Sequence, residues 1–340
     1  LSTGLVYPPG IYATEQELTE LAKTVARHGG IYTTHMRNEG RGLLKAIREA
    51  VNVGRKANVR VEISHLKTSG RSNWALIDAA LSLIQNARHE DIEIAADRYP
   101  YIASSTDLDI IFPEWALAGG RKAELRRLRN PAERAKIRKE LLTSAIDWSS
   151  IIIGSTSNQD NENFQGMPLL RVADLLRMDP VNAALTLVDT VYFKTSAFFS
   201  GMSEDNMWKI LSEPYVMIGT DASLRLPTGP LSMDFPHPRA YGTFPRFLRA
   251  ALDGKSVSLE EAVRKMTSLP AKHFKLTKRG KLAKRYKADI VVFDSTCMAD
   301  TSTFTQPHQL AQGIEFIMVN GVVTLDKNGL TGHRGGKVLV

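Results

Sequence analysis

Cysteine occurs once in the 340 residues, as Cys297, so no disulfide can close within the chain. That scarcity fits a reducing compartment and sets a cytoplasmic location as the expectation. No run approaches the ~18 apolar residues that a membrane helix needs, so no membrane partner is expected. Aromatic residues amount to only 7% of the chain. The Gly-x-x-x-x-Gly-Lys loop, the Gly-x-Ser-x-Gly elbow and the Gly-x-Gly-x-x-Gly fingerprint are all absent, which removes the usual signals of nucleotide binding and serine hydrolysis. Internal repeats and low-complexity stretches are absent too, excluding a solenoid or a disordered tail.

What is present is ordinary globular material, 43% hydrophobic and 24% charged, with a net charge of +8. The positive excess gathers in two stretches, Arg121 to Lys139 and Lys275 to Lys287. Neither carries interleaved aromatics or the spacing of a helix-turn-helix or a finger, so both read as solvated faces and nucleic acid is not an expected partner.

Helical and extended patterns alternate along the first hundred residues. Thr14 followed by Glu17 marks a helix start, and Leu18, Leu21, Ala22 and Val25 recur at helical spacing up to His28-Gly29-Gly30. The apolar-rich run Ile31-Tyr-Thr-Thr-His35 follows, then a helix over about 42–57, then the strand Val59-Arg-Val-Glu-Ile-Ser-His65, a helix over 74–87, and a strand leading to Asp97. Repeated units of about 30 residues predict a parallel sheet with right-handed crossovers. The rhythm breaks over 102–214, which reads as an insertion forming a lid or substrate wall, with a short strand over 150–154 and helices near 169–177 and 181–191. Tyr215-Val-Met-Ile-Gly-Thr-Asp221 resumes the sheet, and Ser258 with Glu261 announces another helix. Beyond about Lys275 the pattern becomes short strands, with Asn320-Gly321 as a two-residue hairpin turn. The expected division is therefore 1–275 for the main unit and 276–340 for a small β-domain.

Three of these strands end on a metal-seeking or proton-handling side chain: His35, His65 and Asp221. In parallel barrels functional groups gather at the carboxyl ends of the strands, so these three point to one site holding a divalent metal and a water. Two histidines are not a complete zinc set, and no clear third donor stands out. Asp221 reads better as the general acid–base that moves a proton between the water and a departing nitrogen. Asp97 is a weaker candidate, because the adjoining Tyr-Pro-Tyr suggests a turn. Lys67, Arg37 and Arg239 sit beside the same tips and would suit a substrate carboxylate.

Several segments together resemble the D-aminoacylases, the N-acyl-D-amino-acid deacylases of the amidohydrolase superfamily. They are Leu1-Ser-Thr-Gly-Leu-Val-Tyr-Pro-Pro-Gly10, Tyr32-Thr-Thr-His-Met-Arg-Asn-Glu39, Ile63-Ser-His-Leu-Lys67, Asp97-Arg-Tyr-Pro-Tyr101, His237-Pro-Arg-Ala-Tyr-Gly-Thr-Phe-Pro-Arg246 and Met266-Thr-Ser-Leu-Pro-Ala271. The resemblance implies an α/β fold, part of a metal-dependent (β/α)8 hydrolase barrel with an inserted lid and a portion of a small β-sandwich. It implies hydrolysis of the amide of an N-acyl-D-amino acid, with one tightly bound zinc and a second, weaker site. His35 and His65 would hold the zinc and Asp221 would be the catalytic acid–base. Lys67, Tyr99 and Arg239 would grip the substrate carboxylate, with Ser105 near the carbonyl under attack.

The chain also departs from that pattern. The His-x-His pair and cysteine ligand of the family have no counterpart from Leu1 onward, and Cys297 matches no ligand position. About five barrel strands are countable where eight would be expected. The expectation is a C-terminal portion of a longer enzyme that alone binds zinc poorly and turns over little. Two other readings stand beside it: a cyclic-amide hydrolase of the dihydroorotase or hydantoinase kind, which the His237-Pro-Arg239 loop does not favour, and a catalytically silent scaffold. Oligomeric state is left open.

Overall fold

The computed structural model describes residues 1–156, 163–189 and 194–339. Its first half alternates strand and helix: β1 Ser2–Gly4, α1 Glu15–Arg27, β2 Ile31–His35, α2 Leu43–Ala57, β3 Arg60–Ile63, α3 Ile77–His89 and β4 Ile94–Arg98. The starts follow local chemistry. Thr14 accepts the Glu17 amide at 3.1 Å and so satisfies one of the open donors of α1. Leu43, Ala46, Ile47, Ala50 and Val51 make one buried stripe on α2, as the 3.6-residue period requires. Where that helix lies closest to the sheet its side chain must vanish, because a Cβ at Gly54 would stand 2.6 Å from the Val61 side chain.

β1, β2, β3, β4 and β8 Val216–Ile218 form one parallel five-stranded sheet in that order, the five strands counted in the sequence. Along β2 burial alternates: Tyr32 and Thr34 are buried, while Ile31, Thr33 and His35 are partly open. Tyr32 joins Leu18, Ile47, Val61 and Ile84 in the main core, where each large aliphatic side chain contributes roughly 1.5–3 kcal/mol by leaving water. The opposite set shares its face with the functional groups. Two predicted strands are shorter than expected: β3 stops at Ile63 and β8 at Ile218, so His65 and Asp221 lie just past the sheet. Both have left-handed backbones, with φ of 41° and 46°, which no ladder can accommodate.

Between the neighbouring strands β4 and β8 the chain builds a second layer. It comprises β5 Ala103–Asp107, α4 Glu114–Leu117, α5 Gly120–Arg129, α6 Pro131–Thr143, β6 Ile151–Ile153, α7 Leu169–Leu176, α8 Pro180–Val188 and β7 Ser196–Ser200. The helix expected over 181–191 ends at Val188, and positions 190 and 191 lie outside the described residues. The three strands pair antiparallel as β5-β7-β6 over their own apolar cluster, which includes Leu108, Leu128, Ile137 and Ile153. α9 Glu204–Ser212 then returns to the main sheet, burying Ile210 there.

After β8 come α10 Arg239–Leu252, α11 Leu259–Met266 and α12 Ser268–His273, then β9 Ile290–Phe293, β10 Ile314–Val319, β11 Val322–Asp326 and β12 Gly329–Leu330. The last four make a separate antiparallel sheet. Asn320 and Gly321, both at positive φ, turn β10 into β11 as the hairpin signal anticipated. The fold is thus α/β with a separate antiparallel sheet.

One charged cluster ties the second layer together. Glu124 on α5 is 2% exposed and pairs with Arg121 at 2.8 Å. Burial, and then the charge of Asp109, push its carboxyl up to about 7 from the ordinary 4.5 against the pull of Arg121. A folded-state value above the unfolded one means a contribution present at acid pH and lost as pH rises through about 7. Glu124→Gln should therefore gain melting temperature relative to the wild type between pH 5 and pH 8. A difference that stays constant over that range would contradict this account.

Candidate metal centre

His35 ends β2, His65 follows β3 by two residues and Asp221 follows β8 by three. Parallel pairing carries all three to one rim, where one ligand atom from each lies within 4.8 Å of the others. Nδ1 of His35 faces Nε2 of His65 at very short range. Burial, and then the neighbouring His65 ring, depress the His35 pKa, which keeps its imidazole neutral and able to offer a lone pair. Two imidazole nitrogens and one carboxylate oxygen around a common point fit the donor set of a three-ligand catalytic zinc site with an open position. Asp221, assigned only a proton-moving part in the sequence, is therefore also within ligand range.

Three further groups hold the arrangement. Nδ1 of His65 lies 2.8 Å from Oε1 of Glu39 and 2.7 Å from Nζ of Lys67, and the Lys67 ammonium is ion-paired with Glu39. Burial opposes a charge on Glu39, but Lys67 and His65 outweigh it and hold the carboxyl well below the usual carboxylate range. The main-chain N–H of His65 donates to Oδ1 of Asp97 at 3.0 Å, which anchors its left-handed backbone. Asp97 in turn fits only because residue 219 is glycine: a Cβ there would come within 2.6 Å of Oδ1 of Asp97.

The substrate-side candidates line two cavities that share Ser105 and Asp221. A small one of about 250 Å³ holds His35, Glu39, His65, Lys67 and Tyr99. A larger one of about 760 Å³ opens past Arg239 toward residues of the second layer, including Lys194 and Ser196. Arg239 sits 2.8 Å from Oδ2 of Asp221, with its guanidinium 4.5 Å from the ring centre of Tyr99. The phenol oxygen of Tyr99 and Nε of Arg239 are buried with no hydrogen-bond partner among the described residues. His237 aims Arg239: its Nδ1 accepts the Arg239 amide at 3.0 Å while Nε2 donates to the carbonyl of Ala103 at 3.1 Å. Burial, and then Arg239, keep His237 neutral, as those two bonds require.

All seven candidate site residues thus meet, but Arg37 does not join them. Its guanidinium pairs with Glu49 at 2.9 Å and donates to the carbonyls of Ile11 and Ala13, bracing the first loop against α2. Glu39, Gly219 and the anchoring part of Asp97 escaped the sequence reading. Only the His-x-x-x-Glu and His-x-Lys spacings hinted at Glu39, and spacing does not show that the two loops touch.

Gly219→Ala should displace Asp97 from the His65 amide and thereby loosen the histidine. Groups that orient metal ligands typically matter 10–100-fold in affinity, so zinc retention by the full-length protein should fall at least about tenfold with little change in melting temperature. Unchanged retention would show that this anchor is dispensable.

Residues 209–325 match the profile of the amidohydrolase family. The chain is 34% identical over 340 residues to D-aminoacylase of Alcaligenes xylosoxydans xylosoxydans, matching 100% of this chain and 60% of that protein. N-acyl-D-glutamate deacylase of Bordetella bronchiseptica, solved with zinc and a phosphonate that mimics the tetrahedral reaction intermediate, superposes with a TM-score of 0.80 at 31% identity over 99% of this chain and 62% of that one. A D-aminoacylase described by a binuclear metal centre, with one-metal activation and second-metal attenuation, gives 0.78 at 32% identity over 99% and 61%. The chain spans about 60% of the length of the curated relatives it matches. Along its whole length it resembles the D-aminoacylases and N-acyl-D-amino-acid deacylases.

Proposed function

We propose that the protein containing this chain hydrolyses the amide bond of N-acyl-D-amino acids, releasing a carboxylate and a free D-amino acid. The convergence of His35, His65 and Asp221 on one point carries the reading. In it, His35 and His65 hold zinc, with a second, weaker metal position nearby. Zinc, when bound, lowers the pKa of a water and polarises an amide carbonyl. Asp221 takes the proton of the attacking water and returns it to the departing nitrogen, a shuttle typically worth 10²–10⁴ in rate.

Nε of Arg239, with no acceptor among the described residues, and the buried phenol of Tyr99 beside it support a carboxylate guest, because a buried donor without an acceptor is costly until a ligand supplies one. Lys67 adds a cation 3% exposed at the same place. Binding the carboxylate there, with Ser105 near the carbonyl, orients the scissile amide toward the metal and Asp221. The segment 102–214 forms the wall that meets the acyl and side-chain groups, residues 1–275 make the catalytic unit, and 276–340 belong to a small β-domain.

The full-length protein should cleave N-acetyl-D-methionine or N-acetyl-D-glutamate and spare the L-isomers, and equal rates on both hands would remove the central claim. Chelation should abolish turnover and added zinc should restore it. Asp221→Asn should lower kcat by 10²–10⁴ with little change in KM. Arg239→Met should chiefly raise KM; an effect confined to kcat would argue against its hold on the carboxylate.

A further inference from the structure

Nδ1 of His65 has two polar neighbours whose demands conflict. The carboxylate of Glu39, 2.8 Å away, can only accept a proton from that nitrogen, whereas the ammonium of Lys67, 2.7 Å away, can only donate one to it. A neutral imidazole carries one N–H and one lone pair, so the choice made at Nδ1 dictates what Nε2 presents. If Lys67 donates, Nε2 bears the hydrogen and turns it toward Nδ1 of His35, where no cation can then be bound. If Glu39 accepts, Nε2 turns its lone pair to the point shared with His35 and Asp221.

The surroundings favour the second arrangement. Glu39 itself engages the Lys67 ammonium and so offers it an acceptor in place of His65. Its backbone is pinned from both sides: the carbonyl of Glu39 accepts the Ser69 amide at 2.8 Å, and the preceding Asn38 side chain accepts the amides of Gly40 and Gly42 at 3.0 and 2.9 Å. Glu39 thus bridges the loop that follows His35 to the loop that carries His65 and Lys67.

We propose that Glu39 is a positioning residue that selects the Nδ1–H tautomer of His65, freeing Nε2 for a metal ion and diverting Lys67 from the ring. This rests on the reading that the cluster holds a divalent cation. It adds that a carboxylate outside the ligand set decides whether it can.

The test uses the full-length protein, with zinc as the probe and a chromophoric chelator as competitor. Glu39→Gln should weaken zinc binding roughly 10–100-fold, the range for groups that orient ligating histidines, while the melting temperature of the zinc-free protein stays within a few degrees. The double variant Glu39→Gln with Lys67→Met should recover most of the lost affinity, since the ammonium that competes for Nδ1 is then gone and the glutamine amide oxygen at position 39 can still accept from it. A merely structural Glu39 would not respond to that second change. Nitrogen NMR of the zinc-free wild type should show His65 protonated at Nδ1. Protonation at Nε2 in the wild type, a single variant within twofold of wild-type affinity, or a double variant no better than the single would each overturn the proposal, whatever the variants do to folding. A wild type that binds zinc and cleaves the D-substrate while giving one of those results overturns only the role of Glu39. A wild type that binds no zinc overturns the metal reading and this proposal with it.

Discussion

Parallel pairing in a single register brings the carboxyl ends of β2, β3, β4 and β8 to one rim, and every feature of the site follows from how the chain leaves that rim. Two of the residues that leave it and still face the site do so with unusual backbone angles. His65 and Asp221 do it in the left-handed region, which costs on the order of 1–3 kcal/mol each and persists only where neighbours over-determine it. Asp97 supplies that constraint for His65 through its amide, and Gly219 supplies the space Asp97 needs. The strain and its support lie on three adjacent strands, β3, β4 and β8.

Charge is arranged by the same rule of close opposition. Lys67 and Arg239 are almost fully buried, and each lies against a carboxylate, Glu39 and Asp221. Burying a charge is tolerable only with such a partner. Deeper in the sheet Glu62 is 2% exposed, and burial, followed by the charge of Asp97, raises its pKa well above the ordinary carboxylate range. The carboxyl of Glu62 beneath the rim thus resists ionisation, while at the rim Lys67 and His65 hold that of Glu39 as an anion. That contrast separates the supporting layer from the layer able to handle a proton or a metal.

Much of this was legible in the chain. Apolar periodicity and the Thr14 and Ser258 caps located α1, α2, α7 and α11 to within a residue or two, and the runs ending near His35, His65, Asp97 and Asp221 identified the sheet. The helix expected over 74–87 runs over Ile77–His89, and α9 and α10 were not read at all. Strand ends were overextended past Ile63 and Ile218, because residues that leave a sheet in a left-handed turn look like its continuation in one dimension. β5 and β7 were not visible, since Ala103–Asp107 and Ser196–Ser200 acquire their extended form by pairing across some ninety positions rather than from their own pattern.

By itself, then, the order of residues determined which side chains stand at the strand tips and which chemistry they can offer: two imidazoles, a carboxylate and several cations. Only the tertiary structure decided which of them face one another. Arg37 and Lys67 hold the same position two residues beyond a tip histidine, yet one braces a loop through Glu49 and the other enters the cavity. The difference arises because the direction of a side chain past a strand end depends on the partners awaiting it. Those partners come from loops and helices distant in the chain, whose approach no local spacing encodes.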